Sequence, residues 1–240
     1  MDSKEKIEER KRRVQAMFNA IARRYDLLNH LLSGGVDIYW RRRALGKVRV
    51  ERLGSVLDLA TGTGDFALAA RRLRPRRIVG IDVALNMVKL GADKIAGRQI
   101  EMPVQLSGGD AEQLPFRASS FDLVTVAFGV RNFGSIPAGL EQAWQVLKPG
   151  GEMLVLDFSD PTWPLFKQAY RFYFNRILPL VGGIISGDRE AYAYLPQSVG
   201  TFPQGRSFLE LMEKVGFVQT KATPLTMGIA HVYQGRKPVD

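Results

Sequence analysis

The stretch SVLDLATGTGDFAL, Ser55–Leu68, carries an apolar run into a carboxylate, Asp58, and then turns through Gly62 and Gly64 into a helix-like pattern. Glycines at such a turn let a ligand approach the backbone. Gly62, Gly64 and Ala67 satisfy the spacing G-x-G-x-x-G/A, a dinucleotide-type pattern that is weak on its own. Charge separates the ligands. A pyrophosphate wants backbone N–H groups and no carboxylate nearby. Here acids stand at successive strand ends: Asp58, then Asp65 beside the turn, Asp82 24 residues after Asp58, and Asp110. Such a rim repels a dianionic bridge and attracts a cation. A sulfonium carrying an amino-acid ammonium fits it, which describes S-adenosylmethionine (SAM).

Each residue then has an expected task. The Gly62–Thr63–Gly64 backbone passes the methionine portion, Thr63 hydrogen-bonds it, and the helix opening near Gly64 offers N–H groups to its carboxylate. Asp82 accepts both ribose hydroxyls, Asp110 accepts from the adenine amino group, and the Ala111 N–H donates to a ring nitrogen. The plainer reading of Asp82 before Val83-Ala84 is a helix N-cap. With two histidines, His30 and His231, and no cysteine, no metal centre and no disulfide is expected.

These residues need a frame. Apolar spacings of three and four predict a helix over 4–31, and a second over 36–49. Strands are expected at Ser55–Ala60, Arg77–Asp82, Val104–Leu106, Phe121–Phe128 and Glu152–Phe158. Between them lie helices at Gly64–Leu73, Leu85–Lys94 and Pro137–Leu147, with a turn at Lys148-Pro149-Gly150-Gly151. That alternation predicts an α/β fold with a parallel sheet. The aromatic, glycine- and proline-rich residues 161–206 read as a cap insertion. A helix at Phe208–Val215 and strands near Val218–Thr223 and Ile229–Gln234 close the chain. The expected division is an N-terminal helical extension, 1–50, and a main domain, 51–240.

The 240 residues suffice for one large core, with 45% hydrophobic and 24% charged residues. Residues 1–100 hold 22 Lys/Arg against 11 Asp/Glu, and residues 101–240 hold 12 against 13, so the net charge of +10 lies entirely in the first part. Solvated helix faces, an anionic lipid surface or a nucleic acid would each account for it. No apolar run reaches the roughly 18–20 residues of a membrane span, and the N-terminus has no apolar signal region, so a cytoplasmic protein is expected.

Longer blocks carry a resemblance. LDLATGTGD, GIDVALNMVKLG, GDAEQLPF with FDLVTVAFGVRNF, and LKPGGEMLVLDFS follow the order of a class I SAM-dependent methyltransferase. MFNAIARRYDLLNHLLSGGVDIYWRR, AFGVRNF, YAYLPQSVGTFPQG and FLELMEKVGF with PLTMGIAHVYQG resemble the ubiquinone/menaquinone biosynthesis C-methyltransferase family, over roughly residues 14–236. The resemblance implies a Rossmann-like seven-stranded sheet whose last strand is antiparallel, and methyl transfer to a ring carbon of a reduced, prenylated quinone, demethylmenaquinol being favoured. A ubiquinone precursor and a phytyl naphthoquinone are the alternatives. The chain departs from the family's pattern at Asp110 (often Asn), Ala127 (Ser in some members) and Asp157 (commonly Glu).

Carbon methylation needs an electron-rich ring carbon, which loss of a phenolic proton supplies. Arg131 and Asn132, after the fourth strand, are the expected catalytic pair: Arg131 stabilises the phenolate or orients a water, and Asn132 orients the ring hydroxyl. Arg131 in a salt bridge at the sheet edge is the bland alternative. His231, Tyr25 and Asp157 are weaker candidates for the base. The apolar segment Phe172–Gly187 and the basic N-terminal part suggest a peripheral, salt-sensitive contact with an anionic membrane. No nucleic acid is expected as partner, because AFGVRNF stands where an RNA base methyltransferase would carry an N-P-P-Y-type loop. Competing classes are an RNA methyltransferase, a nicotinamide oxidoreductase and a SAM-binding module without catalysis. An oligomer is left open.

Overall fold

The computed structural model describes residues 3–50, 52–98, 102–161 and 189–239, with Gln168, Phe172 and Arg176 singly. One mixed sheet of seven strands has the order β3-β2-β1-β4-β5-β7-β6. The strands are β1 Ser55–Leu59, β2 Arg77–Asp82, β3 Val104–Gly108, β4 Phe121–Ala127, β5 Leu147–Phe158, β6 Val218–Leu225 and β7 Ala230–Arg236. β1 to β5 pair in parallel, and β7 runs antiparallel to both β5 and β6. All five residues of β1 are buried, as expected of a central strand covered on both faces.

The helices are α1 Ser3–Leu32, α2 Val36–Leu45, α3 Asp65–Ala70, α4 Leu85–Ala96, α5 Ile136–Val146, α6 Arg189–Thr201 and α7 Arg206–Val215. Leu140, Ala143 and Val146 of α5 and Phe208 and Met212 of α7 pack on one face of the sheet. Trp40, Ala44 and Leu45 of α2 and Phe66, Ala67 and Ala70 of α3 pack on the other. Local chemistry sets the ends. Ser135 caps α5 with Pro137 in its first turn, and Gly216, at φ 111°, ends α7 by returning its N–H to Glu213 while Phe217 N–H reaches Met212.

Two expectations change. The second helix stops at Leu45, with Gly46 as its C-cap, rather than running to 49. Lys148–Gly151 is a wide irregularity inside β5 and not a turn before it: Leu147 pairs with Phe121 and Glu152 with Leu123. Gly150, at φ 76°, turns its N–H to the carbonyls of Lys237 and Pro238, so the extra residues are tied to the chain beyond β7. Of the expected cap, α6 and residues 202–206 are described. Phe172–Gly187 lies outside the described residues except for Phe172 and Arg176.

Candidate active site

The sheet order reverses between β1 and β4, and the chain leaves the carboxyl ends of these strands in opposite directions. Such a switch point is where open α/β sheets bind ligands. A cavity of about 320 Å³ opens there, walled by Ala60, Gly62, Asp82, Asp110, Ala111 and Asn132 among others.

Asp82 ends β2 at the floor of this cavity. Its Oδ2 accepts the Gly62 N–H at 2.8 Å and its Oδ1 accepts the Ala84 N–H at 2.8 Å. The first bond ties β2 to the glycine turn, and the second shapes the entry to α4, whose N-cap is Ala84. The two carboxylate oxygens stand as neighbouring acceptors in a residue that lines the cavity, the arrangement that two neighbouring hydroxyls require. Burial pushes the Asp82 carboxyl above the usual range, and the backbone N–H bonds oppose that rise. Among the described residues no cation pairs with Asp82. Asp110 differs: its Oδ1 accepts the Glu112 N–H at 2.8 Å, and its Oδ2 accepts from Lys11 Nζ at 2.9 Å. Lys11 also lies 3.0 Å from Glu112 Oε2. Burial lowers the Lys11 pKa, but its bonds to Asp110 and Glu112 outweigh burial and leave it raised.

Lys11 belongs to α1, which roofs the cavity with Val14, Gln15 and Phe18. Gln15 Nε2 donates to the Val83 carbonyl at 2.6 Å. Neither Lys11, Gln15 nor Glu112 stood out in the sequence. The one signal for the first two is their spacing of four, with Phe18 and Asn19 a turn further along the same face.

Three expected ligand contacts stand behind the wall. Asp58 is fully buried and accepts from Thr61 Oγ1 and Thr125 Oγ1, both at 2.6 Å. Burial pushes its pKa up to about 6 against these hydroxyl bonds. It braces the ends of β1 and β4 under the turn and does not line the cavity. Thr63 donates to Asp26 Oδ1 and accepts from Lys94 Nζ at 3.1 Å. Gly64, at φ 81°, is the N-cap of α3, and a Cβ there would lie 2.9 Å from Leu106. Asp65 pairs with Lys94 at 2.8 Å. The acid rim is therefore partly neutralised from within, by Lys94 at one end and Lys11 at the other, with Asp82 left without a cationic partner between them among the described residues.

A second chamber, about 60 Å³ and mostly apolar, adjoins the first. Phe18, Tyr25 and Phe128 line both. Phe128 is held at φ 59°, a backbone region costly for a bulky residue, and its ring lies 4.6 Å from that of Phe158. Gly129 follows because a Cβ there would meet the Ala60 Cβ at 2.5 Å. The short 3₁₀ turn Val130–Asn132 then separates the expected catalytic pair. Asn132 faces the larger cavity and accepts from Tyr194 Oη at 3.1 Å. Arg131 faces the apolar chamber, where Nη1 donates to Asp157 Oδ1 at 2.6 Å and to the Phe128 carbonyl, and its backbone N–H reaches Asp157 Oδ2 at 3.3 Å. So the salt bridge is real and buried, yet Arg131 Nε has no partner. His231 Nδ1 lies 2.6 Å from Ser159 Oγ, and burial lowers its pKa, which keeps the ring neutral near pH 7. Tyr194, in the YAYLPQSVGTFPQG stretch, carries no signal of a role in the sequence alone.

A seven-stranded sheet with an antiparallel seventh strand, a glycine turn after β1 and a carboxylate ending β2 define a class I SAM-dependent methyltransferase. The structure of a SAM-dependent methyltransferase from Thermotoga maritima, a possible histamine N-methyltransferase, superposes with a TM-score of 0.67 over 93% of this chain and 99% of that one, at 18% identity. The profile of the ubiE/COQ5 methyltransferase family matches residues 4–237, and the chain belongs to that family. It is 45% identical over 97% of its length to the ubiquinone/menaquinone biosynthesis C-methyltransferase UbiE of Geotalea daltonii, covering 99% of that protein. It is 41% identical over 93% of its length to the demethylmenaquinone methyltransferase of Porphyromonas gingivalis, covering 92% of that protein. The larger cavity fits SAM: Asp82 offers paired acceptors for a ribose, Val83, Met87 and Phe133 offer apolar walls for a base, and the volume is that of a ligand site.

Proposed function

We propose that this enzyme transfers a methyl group from SAM to a ring carbon of a prenylated quinol, demethylmenaquinol being the favoured acceptor. The observation that carries the reading is the pair of adjoining chambers, one polar enough for a nucleoside and one apolar and aromatic, sharing Phe18, Tyr25 and Phe128. A sulfonium methyl donor and a planar acceptor held in adjoining chambers are brought into one place, and positioning is a large part of what such a transfer needs. Bound SAM supplies an electrophilic methyl group on a sulfonium sulfur.

In this reading Gly62, Asp82, Asp110 and Ala111 hold SAM directly, while Asp58, Thr63 and Gly64 shape the turn that holds it. Phe128 and Phe158, packed on each other, form one aromatic wall for the acceptor ring. Arg131 Nε–H, buried and unpartnered, is the donor that a phenolate oxygen would satisfy, and Asp157 fixes the guanidinium for that task. Asn132, held by Tyr194, orients the second ring hydroxyl. The ring hydroxyl gives up its proton, the adjacent carbon forms the new C–C bond as the S–C bond breaks, loss of the proton on that carbon restores the aromatic ring as its phenolate, and the phenolate oxygen takes one proton back. The products are the methylated quinol, S-adenosylhomocysteine and one proton.

The helical extension 1–50 and the methyltransferase domain 51–240 form one working unit in this reading, because α1 roofs the cofactor cavity. An acceptor with an apolar tail also implies peripheral contact with a membrane; among the described residues no helix is long and apolar enough to cross one. The test is labelled methyl transfer from SAM to chemically reduced demethylmenaquinone, with mass spectrometry of quinones from cells lacking the protein. Accumulation of the demethylated quinone is expected. An unchanged quinone profile together with no transfer in vitro would overturn the reading.

A further inference from the structure

We propose that the face of the α1–α2 hairpin carrying Leu27, Ile38 and Tyr39, with the arginine cleft beside it, docks on an anionic lipid bilayer from which the acceptor is drawn. This rests on the reading of the acceptor as a membrane-borne quinol. Leu27, Ile38 and Tyr39 are 63%, 41% and 51% exposed, although a large aliphatic or aromatic side chain gains by leaving water. Leu27 stands one turn before His30 on α1, and Ile38 shares a face of α2 with Arg41 and Arg42.

Beside them a cleft of about 660 Å³ runs between α2 and α3, lined by Ile38, Arg41, Arg42, Arg72 and Arg98 among others. Arg42, Arg72 and Arg98 are exposed, and none of the ion pairs among the described residues involves them. The one carboxylate in the cleft, Asp65, is already paired with Lys94. Three exposed guanidinium groups therefore stand without an ion-pair partner among the described residues, with exposed Ile38 in the same cleft and Leu27 and Tyr39 on the same two helices. Arginines suit phosphate headgroups, and aliphatic side chains suit the acyl boundary just beneath them.

The pattern favours lipid over the alternatives. Leu27 and Ile38 offer a nucleic acid neither stacking nor hydrogen bonds, and Tyr39 would give it a single stacking surface where a strand needs several in a row. A second copy of the chain would bring the same unpaired arginines together. The position also serves the chemistry. Arg41 lines both the cleft and the acceptor chamber, with its guanidinium 5.5 Å from the Phe128 ring. Met17, Ile21 and Tyr25 wall that chamber from α1. A bilayer on the outer face would lie about one helix diameter, roughly 10–12 Å, from the acceptor ring's seat.

The experiment uses the full chain with vesicles containing phosphatidylglycerol, vesicles of phosphatidylcholine alone, and a water-soluble, tail-less naphthoquinol as a second acceptor. The native protein should sediment with the anionic vesicles at low salt and be released by high salt. Arg42→Glu/Arg72→Glu/Arg98→Glu should weaken that partition roughly 100-fold. The charge-neutral Leu27→Ser/Ile38→Ser/Tyr39→Ser should also weaken it. Both variants should still methylate the tail-less acceptor in solution, which shows that they are folded. Native protein that stays in the supernatant, or variants that sediment like it, would overturn the inference. So would displacement of the vesicles by millimolar inorganic phosphate, by an RNA oligonucleotide, or by self-association through this face. Failure of the native protein to methylate either acceptor would instead strike the proposed function, and the sedimentation arms would judge the docking face alone.

Discussion

Arg131 answers to two partners. Its Nη1 neutralises a carboxylate with no exposure at all, Asp157, while its Nε is buried without a hydrogen-bond partner in a residue that lines the acceptor chamber. Removing the side chain would strand a buried anion, a loss of about 3–5 kcal/mol that would mask any catalytic effect. Arg131→Lys keeps a cation for Asp157 and deletes the fixed donor. It should leave SAM affinity within about threefold and lower kcat on the order of 100-fold, as loss of a donor to a developing anion does. Calorimetry with SAM and single-turnover methyl transfer check the two halves, and a large loss of SAM binding would contradict the role. Asp58 gives a prediction of another kind. Its folded pKa of about 6 lies above its ordinary 3.8, so the folded chain binds its proton more tightly than the unfolded one. The stability this contributes is present below about pH 4 and lost as pH rises through about 6, a swing of up to about 3 kcal/mol. Asp58→Asn does not titrate, so its stability relative to the native protein should rise by that amount from pH 4 to pH 7. Urea unfolding at both values would show it, and a flat difference would mean that Asp58 titrates normally. That Asp82 and Asp110 face the cavity was legible in the sequence, since one ends β2 and the other follows β3 at the open edge of the sheet. That Asp58 and Thr63 stand behind the cavity wall was not legible, because strand position says nothing of depth beneath a turn. Lys11 was hidden because its partner lies 99 residues away, and a lysine in a basic cluster reads as solvated.

Most elements were legible because buried parallel strands and amphipathic helices alternate with so few exceptions. What the pattern cannot show is how closely two elements approach. Adjacent Arg131 and Asn132 looked like one catalytic dipeptide, yet on a 3₁₀ turn they project into different chambers. The Lys-Pro-Gly-Gly segment looked like a turn because its residue types favour one, while pairing with β4 on both sides keeps it within a strand. Gly91 is the clearest case. It is a buried glycine within α4, where replacement by alanine gains about 1 kcal/mol of helix propensity. A Cβ there would stand 2.8 Å from the backbone carbonyl carbon and oxygen of Thr63 and 2.5 Å from Leu106 Cδ1. The backbone of a tight turn yields little, and overpacking of this kind costs about 1–3 kcal/mol. Gly91→Ala should therefore lower the melting temperature despite the propensity, and weaken SAM binding by pushing α4 away from the glycine turn. Paired thermal melts with and without SAM test both effects. A variant more stable than the native protein with unchanged SAM affinity would show that α4 has room to move.

Across the whole molecule, the two halves of the charge distribution do different work. The sheet and its covering helices carry the chemistry, and the basic N-terminal helices close over it. α1 is fastened at its first half mainly by polar contacts: Lys11 to Asp110 and Glu112, Gln15 to Val83, Asn19 to Asn86 at 2.9 Å, and Arg10 to the Arg131 carbonyl at 3.1 Å. Partly exposed ion pairs of this sort contribute about 0–1 kcal/mol each and weaken with salt. Among the described residues of α1 only Val14, Ile21 and Ala22 are buried apolar side chains, and the others are exposed or half-buried. The sheet instead hides Leu57, Leu59, Leu123, Val124, Leu154 and Val155 completely. Local opening follows such differences in burial, so α1 should open far more often than the sheet. A cofactor seated between Asp82 and Asp110 lies under that helix, and binding energy gained there is gained only in the closed state. SAM should therefore slow amide exchange in residues 7–19 of α1 while leaving β1 and β4, already protected by global stability, unchanged. High salt without SAM should speed exchange in the same residues. Hydrogen exchange read by mass spectrometry distinguishes the outcomes directly. If α1 exchanges as slowly as the sheet and does not respond to SAM, the helix is a fixed wall, and the cofactor must enter by another route.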